Sequence, residues 1–482
     1  MGIAIAAAVG VGLLGVADAA GLSQAGEAPE LSQLTASPGL FPAFAPGITD
    51  YVVRCSTAAT TQLNVFAASG TVATIAGQRR NAARLPLRAG QSVTVTGIRG
   101  RRTIAYHVRC LPSDFPNWQA TGAGTPDRYF VTTPTLSLGT AEGHYVIVFD
   151  DHGVPVWWYR DAGQPMDAKV LPNGEVAFAE FNGAQPAYQV RRLDGTLVDR
   201  ITSPDGAIDD HELQTVANGD TYYLVYQPKQ HVDLTALGGP TDVTAYEGVI
   251  EERSSSGKVV WSWSTDGHVG LDEVAAWTST IVGAPVSLSD GEQIYDIVHA
   301  NSISIRGNVV LLSLRYADAI YAIDRTTGAI LWKLGGTLTP QSLTVAGDPL
   351  GSNPLIGQHD ARQLSDGTVT VFDDGSFARS PRAVQYRIDA AARTATFVSS
   401  VADPAITSSV CCGSARLMEN GDWLVSWGAD PIVGEYSPNG TPLLKLEFDG
   451  LFSYRAVPVE VPHLGTASLR AGMDAMAKRL QG

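Results

Sequence analysis

The stretch HANSISIRGNVVLLSLR, from His299 to Arg315, contains two strand-like segments separated by a turn at Gly307. Short runs rich in apolar and β-branched residues flank the turn, which is typical of a β-hairpin. The same arrangement recurs in four further places, and in each the turn glycine lies eight residues after the first residue of the unit. These units are MDAKVLPNGEVAFA from Met166, HELQTVANGDTYYLVY from His211, HDARQLSDGTVTVFDD from His359 and GSARLMENGDWLVSWG from Gly413. Such a repeat predicts an array of similar hairpins.

A second hairpin follows these units, with turns near residues 194–195, 256–257, 327–328 and 439–440. Two hairpins make a four-stranded antiparallel blade, and an earlier unit over residues 126–160 brings the count to six. The sequence therefore predicts an all-β protein in which residues 113–465 form a six-bladed β-propeller. The units at 211 and 299 are unusually far apart, so we expect an insertion near 264–296 to form a loop over one mouth of the channel.

Shorter segments flank the predicted propeller. Residues 1–20 form an apolar run followed by small residues, which indicates a signal peptide or an N-terminal anchor, and hence secretion or residence in the cell envelope. We predict a polar linker over 21–35, a small β-sandwich over 36–112 and a packed C-terminal helix over 466–482. The stretch LSQLTASPGLFPAFAPGITDYVVRC, which begins at Leu31, resembles the start of a cadherin-like sandwich module.

The charge of the chain limits the partners that it can bind. A formal net charge of -15 argues against nucleic acid and against an anionic membrane surface as the main partner. An anionic substrate would therefore need a local positive cluster.

The four cysteines also favour an oxidising compartment. Cys55 and Cys110 bracket a β-rich segment and are candidates for one disulfide. Cys411 and Cys412 are adjacent, so neither C-x-x-C redox chemistry nor a zinc knuckle fits them. Two buried thiols and a vicinal disulfide both remain open for this pair.

The first position of the aligned hairpins is the strongest functional signal in the sequence. Three of the nine histidines, His211, His299 and His359, occupy that position in successive units. Since equivalent positions of a propeller lie at one depth of the channel, we expect these imidazoles to converge at one mouth. Arg315 should face His299 across its hairpin, and Asn301 should share the strand face of His299. Such a positive site suits a small oxyanion ester, because arginine offers a planar fork to tetrahedral anions.

Other interpretations compete for some of these residues. Three imidazoles beside Asp209 and Asp210 would also suit a zinc or iron ion, although Arg315 would repel a cation. We therefore predict no metal. The Asp373-Asp374-Gly375 run is interpreted as turn residues. Five further histidines are interpreted as structural, and His268 is left open because it falls in the insertion; the five are His107, His144, His152, His231 and His463.

Three segments, HANSISI…LLSLR, AIDRTTGAILWKLGG and QHDARQLSDGTVTVFDDGS, together resemble the arylsulfotransferase family in their order and spacing, and the resemblance covers roughly residues 115–455. It implies transfer of a sulfuryl group from an aryl sulfate to a phenolic acceptor, without the nucleotide donor PAPS and without another cofactor. His359 would be the nucleophile that becomes a transient sulfohistidine in a ping-pong cycle. His299, Asn301 and Arg315 would bind the sulfuryl oxygens, and His211 would complete the site. The predicted partners are small molecules, with no nucleic acid, and a homodimer is one predicted assembly.

Two alternatives belong to other classes of protein. YAIDRTTGAILWKLGG also resembles the tryptophan-docking repeat of quinoprotein dehydrogenases, in which most blades carry that repeat, whereas here one copy is strong. A non-catalytic propeller that binds a partner in the cell envelope is the third hypothesis.

Overall fold

The computed structural model describes residues 30–55, 60–135, 143–181, 186–287 and 292–479. Strands dominate these residues and the helices are few and short, so the predicted all-β class is confirmed. The predicted signal peptide or anchor over 1–20 lies outside the described residues. Within the described ranges, no helix has the length and apolar character needed to cross a membrane.

The first domain consists of two sheets packed around one core. Its strands are β1 (Leu31–Ser37), β2 (Leu40–Phe41), β3 (Asp50–Arg54), β4 (Thr61–Ala67), β5 (Val72–Ile75), β6 (Gln78–Arg79), β7 (Ala82–Leu85), β8 (Ser92–Arg99) and β9 (Arg102–Leu111). One sheet has the order β1-β4-β7, and the other has the order β2-β3-β9-β8-β5-β6. Along β8 buried and less buried residues alternate, because successive side chains point to opposite faces of a strand.

The boundary of this domain differs from the prediction. Strand β1 begins at Leu31, whose side chain is fully buried in the core of the sandwich. The last part of the predicted linker 21–35 is therefore a core strand, because its leucines have a sheet to pack against. A disulfide joins Cys55 and Cys110. The likeness to a cadherin-like module stays a prediction.

The remaining strands follow in chain order from residue 118 to residue 458. They are β10 (Trp118–Gly122), β11 (Tyr129–Thr132), β12 (His144–Asp150), β13 (Pro155–Asp161), β14 (Gln164–Val170), β15 (Val176–Phe181), β16 (Tyr188–Arg191), β17 (Leu197–Ile201), β18 (Ala207–Thr215), β19 (Thr221–Val232), β20 (Val243–Arg253), β21 (Val259–Ser264), β22 (Val286–Ser287), β23 (Gln293–Asp296), β24 (Ala300–Arg306), β25 (Val309–Leu314), β26 (Ala319–Asp324), β27 (Ile330–Gly335), β28 (Thr344–Ala346), β29 (His359–Gln363), β30 (Thr368–Asp373), β31 (Arg382–Asp389), β32 (Thr394–Val401), β33 (Ser414–Leu417), β34 (Trp423–Ser426), β35 (Ile432–Tyr436), β36 (Pro442–Phe448) and β37 (Ala456–Pro458).

These strands form six sheets in the described part of the chain. Each sheet has a core of four antiparallel strands, in the orders β37-β11-β12-β13, β14-β15-β16-β17, β18-β19-β20-β21, β24-β25-β26-β27, β29-β30-β31-β32 and β33-β34-β35-β36. The first strands of the sheets contact one another in a closed cycle, β37-β14-β18-β24-β29-β33 and back to β37. We interpret this cycle as the channel-lining ring of a propeller, with each sheet as one blade. Strand β37 closes the ring, because it comes from the end of the chain and pairs with β11.

An inserted segment and two short 3₁₀ turns lie outside the ring of inner strands. Between β21 and β24 the chain forms a 3₁₀ helix (Leu271–Trp277), the short helix α1 (Thr278–Gly283) and the small strands β22 and β23. This segment is the predicted insertion. Two further 3₁₀ turns cover Thr235–Leu237 and Arg315–Ala317.

The C-terminal helix α2 (Thr466–Arg479) lies within the segment 466–482 that the sequence suggested. Its buried residues Leu469, Met473 and Met476 recur every three to four positions. They pack into the hydrophobic core that includes strands β12 and β13. Burial of each such side chain contributes about 1.5–3 kcal/mol.

Candidate active site

Irregular pairing in the inner strands shapes the mouth of the channel. Strands β14, β18, β24 and β29 each lose regular register near the first position of the sequence repeat. Such bulges add a residue to one strand and redirect its side chains. Three non-glycine residues at these places have left-handed backbone, Asp167 at φ 44°, His299 at φ 49° and Asp360 at φ 54°. The four strands thus aim side chains at the channel in a way that a regular strand would not.

The structure brings the three predicted imidazoles together. The ring centres of His211 and His299 are 5.0 Å apart, and those of His299 and His359 are 6.5 Å apart. They come from the inner strands, or the residue just before them, of three successive sheets. The convergence that the repeat predicts is therefore present, while the catalytic roles of these residues stay predictions.

The hydrogen bonds of His359 determine which ring nitrogen carries the proton. Its Nδ1 lies 2.8 Å from the carbonyl oxygen of Gly357, which can only accept, so Nδ1 is the protonated nitrogen. The Asp374 carboxyl lies 3.2 Å from the same nitrogen. On the other side of the ring, the main-chain N–H of Cys412 donates to Nε2 at 3.3 Å. His359 therefore presents an unprotonated Nε2 to the site.

Electrostatics favour the neutral form of His359. Burial of the ring, followed by the positive charge of Arg315 and the neighbouring His299 and His211, holds the pKa of His359 well below its ordinary value. The side chain is only 1% exposed. His359 is thus an uncharged nucleophile candidate at neutral pH.

The other two histidines each have a carboxylate partner. Nδ1 of His211 lies 2.5 Å from Asp209, and Nδ1 of His299 lies 2.5 Å from Asp296. Burial opposes a charge on His211, but Asp209 and the nearby Asp210 outweigh it and raise the pKa of His211 to about 9. His211 is therefore positively charged at neutral pH, whereas His359 is neutral and carries a proton on Nδ1 alone. Two imidazoles whose environments separate their pKa values in this way can serve as acid and nucleophile.

Arg315 lies where the hairpin register predicts. Its main-chain N–H donates to the carbonyl oxygen of His299 at 2.9 Å. Its guanidinium donates to the carbonyl oxygen of Val410 at 2.6 Å and stacks over the Trp277 ring, 4.4 Å from the ring centre. Nε of Arg315 is buried and has no hydrogen-bond partner among the described residues. The guanidinium is therefore fixed on two sides and keeps a donor for an anion.

For Asn301, the shared strand face with His299 stays a prediction. The bulge at residues 300–302 breaks the alternation on which that prediction rested. The fully buried Asn301 amide donates to the carbonyl oxygen of Gln358 at 2.8 Å, next to His359. In this structure Asn301 supports the main chain that carries the candidate nucleophile.

The inserted segment forms an aromatic wall beside the histidines. Trp277, at the end of its 3₁₀ helix, lies 5.2 Å from the Tyr316 ring, which lies 5.1 Å from the His299 ring. The Trp277 indole N–H donates to Asp318, and the same carboxylate oxygen accepts the N–H of Gly357. The insertion is thus linked to the residue whose carbonyl holds His359.

Several residues at the site were not found from the sequence. Asp374 was interpreted as a turn residue, and it does accept hydrogen bonds from Ser376 in a turn, but it also lies against His359. Burial raises the pKa of Asp374 well above its ordinary value. The signal was available, because Phe372, two residues earlier, pairs with His359 across the hairpin. Only packing shows that a turn carboxyl bends back to the ring.

The adjacent cysteines are joined in a vicinal disulfide, which decides between the two possibilities left open. Cys412 has left-handed backbone at φ 70° and is buried. Since its N–H contacts His359 while Val410 contacts Arg315, residues 410–412 touch both candidate groups.

Histidines outside the cluster make contacts of other kinds. His268 of the insertion stacks on Trp263 with ring centres 4.7 Å apart. The ligand atoms of Asp209, Asp210 and His211 lie within 4.8 Å of one another, so this group also has the geometry of a cation site. The same holds for residues 150–152, away from the histidine cluster.

A layer of buried ion pairs lies behind the histidines. Arg455 is 1% exposed and donates to Asp167, to the His211 carbonyl and to the Asn301 carbonyl. Glu212 pairs with Arg455. This layer fixes the main chain on which His211 and Asn301 lie.

A second group of pairs continues this layer around the ring. Arg362 pairs with Glu212 and with Asp360, the neighbour of His359. Lys169 also pairs with Glu212, and Arg416 pairs with Asp360. Four sheets therefore contribute charged side chains to the layer.

Comparison with solved structures gives distant likenesses only. A protein of unknown function from Bacteroides caccae is 12% identical, with a TM-score of 0.42, over 70% of this chain and 100% of that chain. A catalytically inactive virginiamycin B lyase from Staphylococcus aureus, in complex with quinupristin, is 12% identical with a TM-score of 0.35, over 72% and 90%. A streptogramin B lyase is 11% identical with a TM-score of 0.36, over 69% and 98%. These values are too low to bear on function.

Sequence comparison is more informative. No curated protein matches the chain significantly. The family profile described as Arylsulfotransferase (ASST) matches residues 181–449, which is more than half of the chain and includes the three histidines and Arg315. The chain belongs to the arylsulfotransferase family.

Proposed function

We propose that this protein transfers a sulfuryl group from a phenolic sulfate ester to a phenolic acceptor, through a covalent intermediate on His359. The observation that carries the proposal is the geometry of that ring: it is buried, Gly357 holds Nδ1, and Nε2 is the unprotonated nitrogen. Burial and the charge of Arg315 also keep the pKa of His359 low. An imidazole must be neutral to attack, because the imidazolium has no free lone pair, and a nearby cation balances the charge of the sulfate ester.

The first half-reaction uses the difference in charge between the neutral His359 and the positively charged His211. The hydrogen bond from the Cys412 N–H to Nε2 of His359 opens, the freed Nε2 lone pair forms a bond to sulfur, and the bond from sulfur to the aryl oxygen breaks. Its electron pair leaves with the phenolate, which takes a proton from the charged His211. Gly357 accepts from Nδ1–H throughout, so it stabilises the positive ring of the sulfohistidine. Arg315 and His299 stabilise the sulfuryl oxygens, as in phosphoryl transfer, where positioning and charge dominate.

The second half-reaction reverses the proton movement. His211, now neutral, accepts the proton of an incoming phenol, whose oxygen attacks sulfur. The bond from sulfur to Nε2 breaks, and the electron pair returns to His359. Both histidines are then in their starting states, so the cycle needs no external acid, base or cofactor. This sequence of steps is ping-pong.

The aryl group of the substrate is proposed to lie against Trp277 and Tyr316. Their rings form a wall next to His299 and Arg315, and aromatic pairs favour offset or tilted contacts at such distances. The site is extracytoplasmic in this proposal, which the two disulfides support because such bonds persist in oxidising compartments.

Intact-mass measurement tests the reaction class and the nucleophile together. The protein is mixed with p-nitrophenyl sulfate in the absence of an acceptor. We expect a mass gain of one SO₃ group, located by peptide mapping on His359 and removed when a phenol is added. The His359→Ala variant should gain no mass. A stable wild-type mass combined with release of p-nitrophenol would contradict a covalent intermediate.

The pH dependence of the first half-reaction should have two limbs. His359 must be neutral, so the rate is lost only as the pH falls below its lowered pKa. His211 must be protonated to act as an acid, so the rate is lost as the pH rises through about 9. Single-turnover release of phenol from phenyl sulfate should show the alkaline limb. The better leaving group p-nitrophenol should show less of it, and the His211→Gln variant should lack it. An alkaline limb that is unchanged in this variant would exclude His211 as the acid.

A further inference from the structure

The repeat places a group of cationic side chains, arranged as a ring, next to the cluster of three histidines in the channel. Lys169, Arg362 and Arg416 each lie three residues after the first position of their hairpins, in β14, β29 and β33. Because these residues come later in their strands, the ring of cations lies further along the channel than the first positions of the hairpins. The proposed sulfuryl transfer uses none of these three side chains.

A cavity opens next to this ring, on the side away from the histidines. It has a volume of about 410 Å³, and we call it the rear pocket. The cationic side chains of Lys169, Arg362 and Arg416 line this pocket, together with apolar side chains that include Leu364 and Leu417. A pocket of this size, lined about equally by polar and apolar residues, can hold a small organic ligand with a polar head.

The charges at the base of the pocket do not balance. Four cationic side chains meet three carboxylates in this buried layer; the cations are Lys169, Arg362, Arg416 and Arg455, and the carboxylates are Asp167, Glu212 and Asp360. An exposed carboxylate, Glu460, lies at the rim, where solvent weakens its effect.

Arg416 is the least satisfied of the cations. Its guanidinium donates to Asp360 at 2.8 Å, and its Nε is buried without a partner among the described residues. Burial and the adjacent charge of Arg362 lower the pKa of Arg416, which shares its carboxylate partner Asp360 with Arg362. Thr370, also in the lining, has a buried hydroxyl without a hydrogen-bond partner in the described part of the chain. The Arg416 side chain is 18% exposed, so the rest of its guanidinium is open to an oxyanion in the pocket.

We propose that the rear pocket is a second ligand site, which binds a small organic anion with a carboxylate or sulfate head and a compact apolar body. The head contacts Arg416 and Arg362, and the body lies against Leu364 and Leu417. The site is separate from the histidine cluster and does not depend on the proposed sulfuryl transfer.

Calorimetric titration of the full chain with benzoate tests this inference. At low ionic strength we expect one-site binding of benzoate, and no binding of its neutral isostere benzamide, because the charge of the head is required. Arg416→Gln should weaken benzoate binding at least about tenfold, the loss expected for a charge-assisted contact. Arg315→Lys, which alters the histidine site, should leave the benzoate affinity unchanged.

A second variant guards against loss of folding in Arg416→Gln. Val461→Trp adds bulk at a half-buried wall position without removing a charge, and it should also weaken binding. The inference is overturned if wild-type protein binds benzamide as well as benzoate, or binds neither. It is also overturned if Arg315→Lys abolishes benzoate binding and Arg416→Gln retains it, since benzoate would then occupy the histidine site instead of the rear pocket. The sulfohistidine mass is measured separately, so failure of one proposal does not affect the other.

Discussion

Replacement of His359 by alanine is expected to lower the rate of sulfuryl transfer by about 10⁴-fold or more, as removal of a covalent nucleophile does in other enzymes. The variant lacks the Nε2 lone pair that forms the bond to sulfur, so both half-reactions stop. Binding of the ester should persist, because Arg315 and His299 remain. Steady-state transfer from p-nitrophenyl sulfate to a phenol measures the loss.

The matched control is His463→Ala, which removes an exposed histidine outside the cluster. It should keep wild-type activity. If His359→Ala instead lost less than about tenfold, in folded protein that still binds the ester, the nucleophile would have to be another group.

The second large effect concerns stability. Arg455→Met should lower the free energy of unfolding by about 3–5 kcal/mol, the usual cost of removing one partner from a buried ion pair. Asp167 and Glu212, whose side chains are at most 1% exposed, would then lose a guanidinium. The carbonyls of His211 and Asn301 would lose a donor as well. Urea unfolding of both proteins at one pH gives the difference.

Arg160→Met is the comparison variant for this measurement. Arg160 pairs with Asp114 at 2.7 Å, but its side chain is 58% exposed, so the pair contributes at most about 1 kcal/mol. Equal losses in the two variants would mean that burial of Arg455 does not determine its contribution.

At the candidate site, the register of the repeated hairpins predicts most of the arrangement. Three histidines at one offset from a turn glycine were enough to predict that they meet, because each hairpin repeats the same path. The position of Arg315 followed from counting back across its turn, and its main-chain bond to His299 agrees. The prediction for Asn301 was weaker, since one bulged residue reverses the face on which a strand side chain lies.

The hairpin repeat does not predict residues that reach the site from outside it. Trp277 comes from an insertion with no equivalent in the other units, and Cys412 contributes its main-chain N–H, which no side-chain pattern reveals. Asp374 has the local sequence of a turn, and its contact with His359 depends on how that turn packs.

By itself the sequence determined the all-β class, the hairpin repeat and the group of histidines with Arg315, because turn glycines and strand patterns are local properties of the chain. Only the tertiary structure decided the protonation and electrostatics of that group. Those depend on burial, on carboxylates such as Asp209 and Asp296, and on a carbonyl at Gly357, all of which act through distances that exist only after the sheets close into a ring.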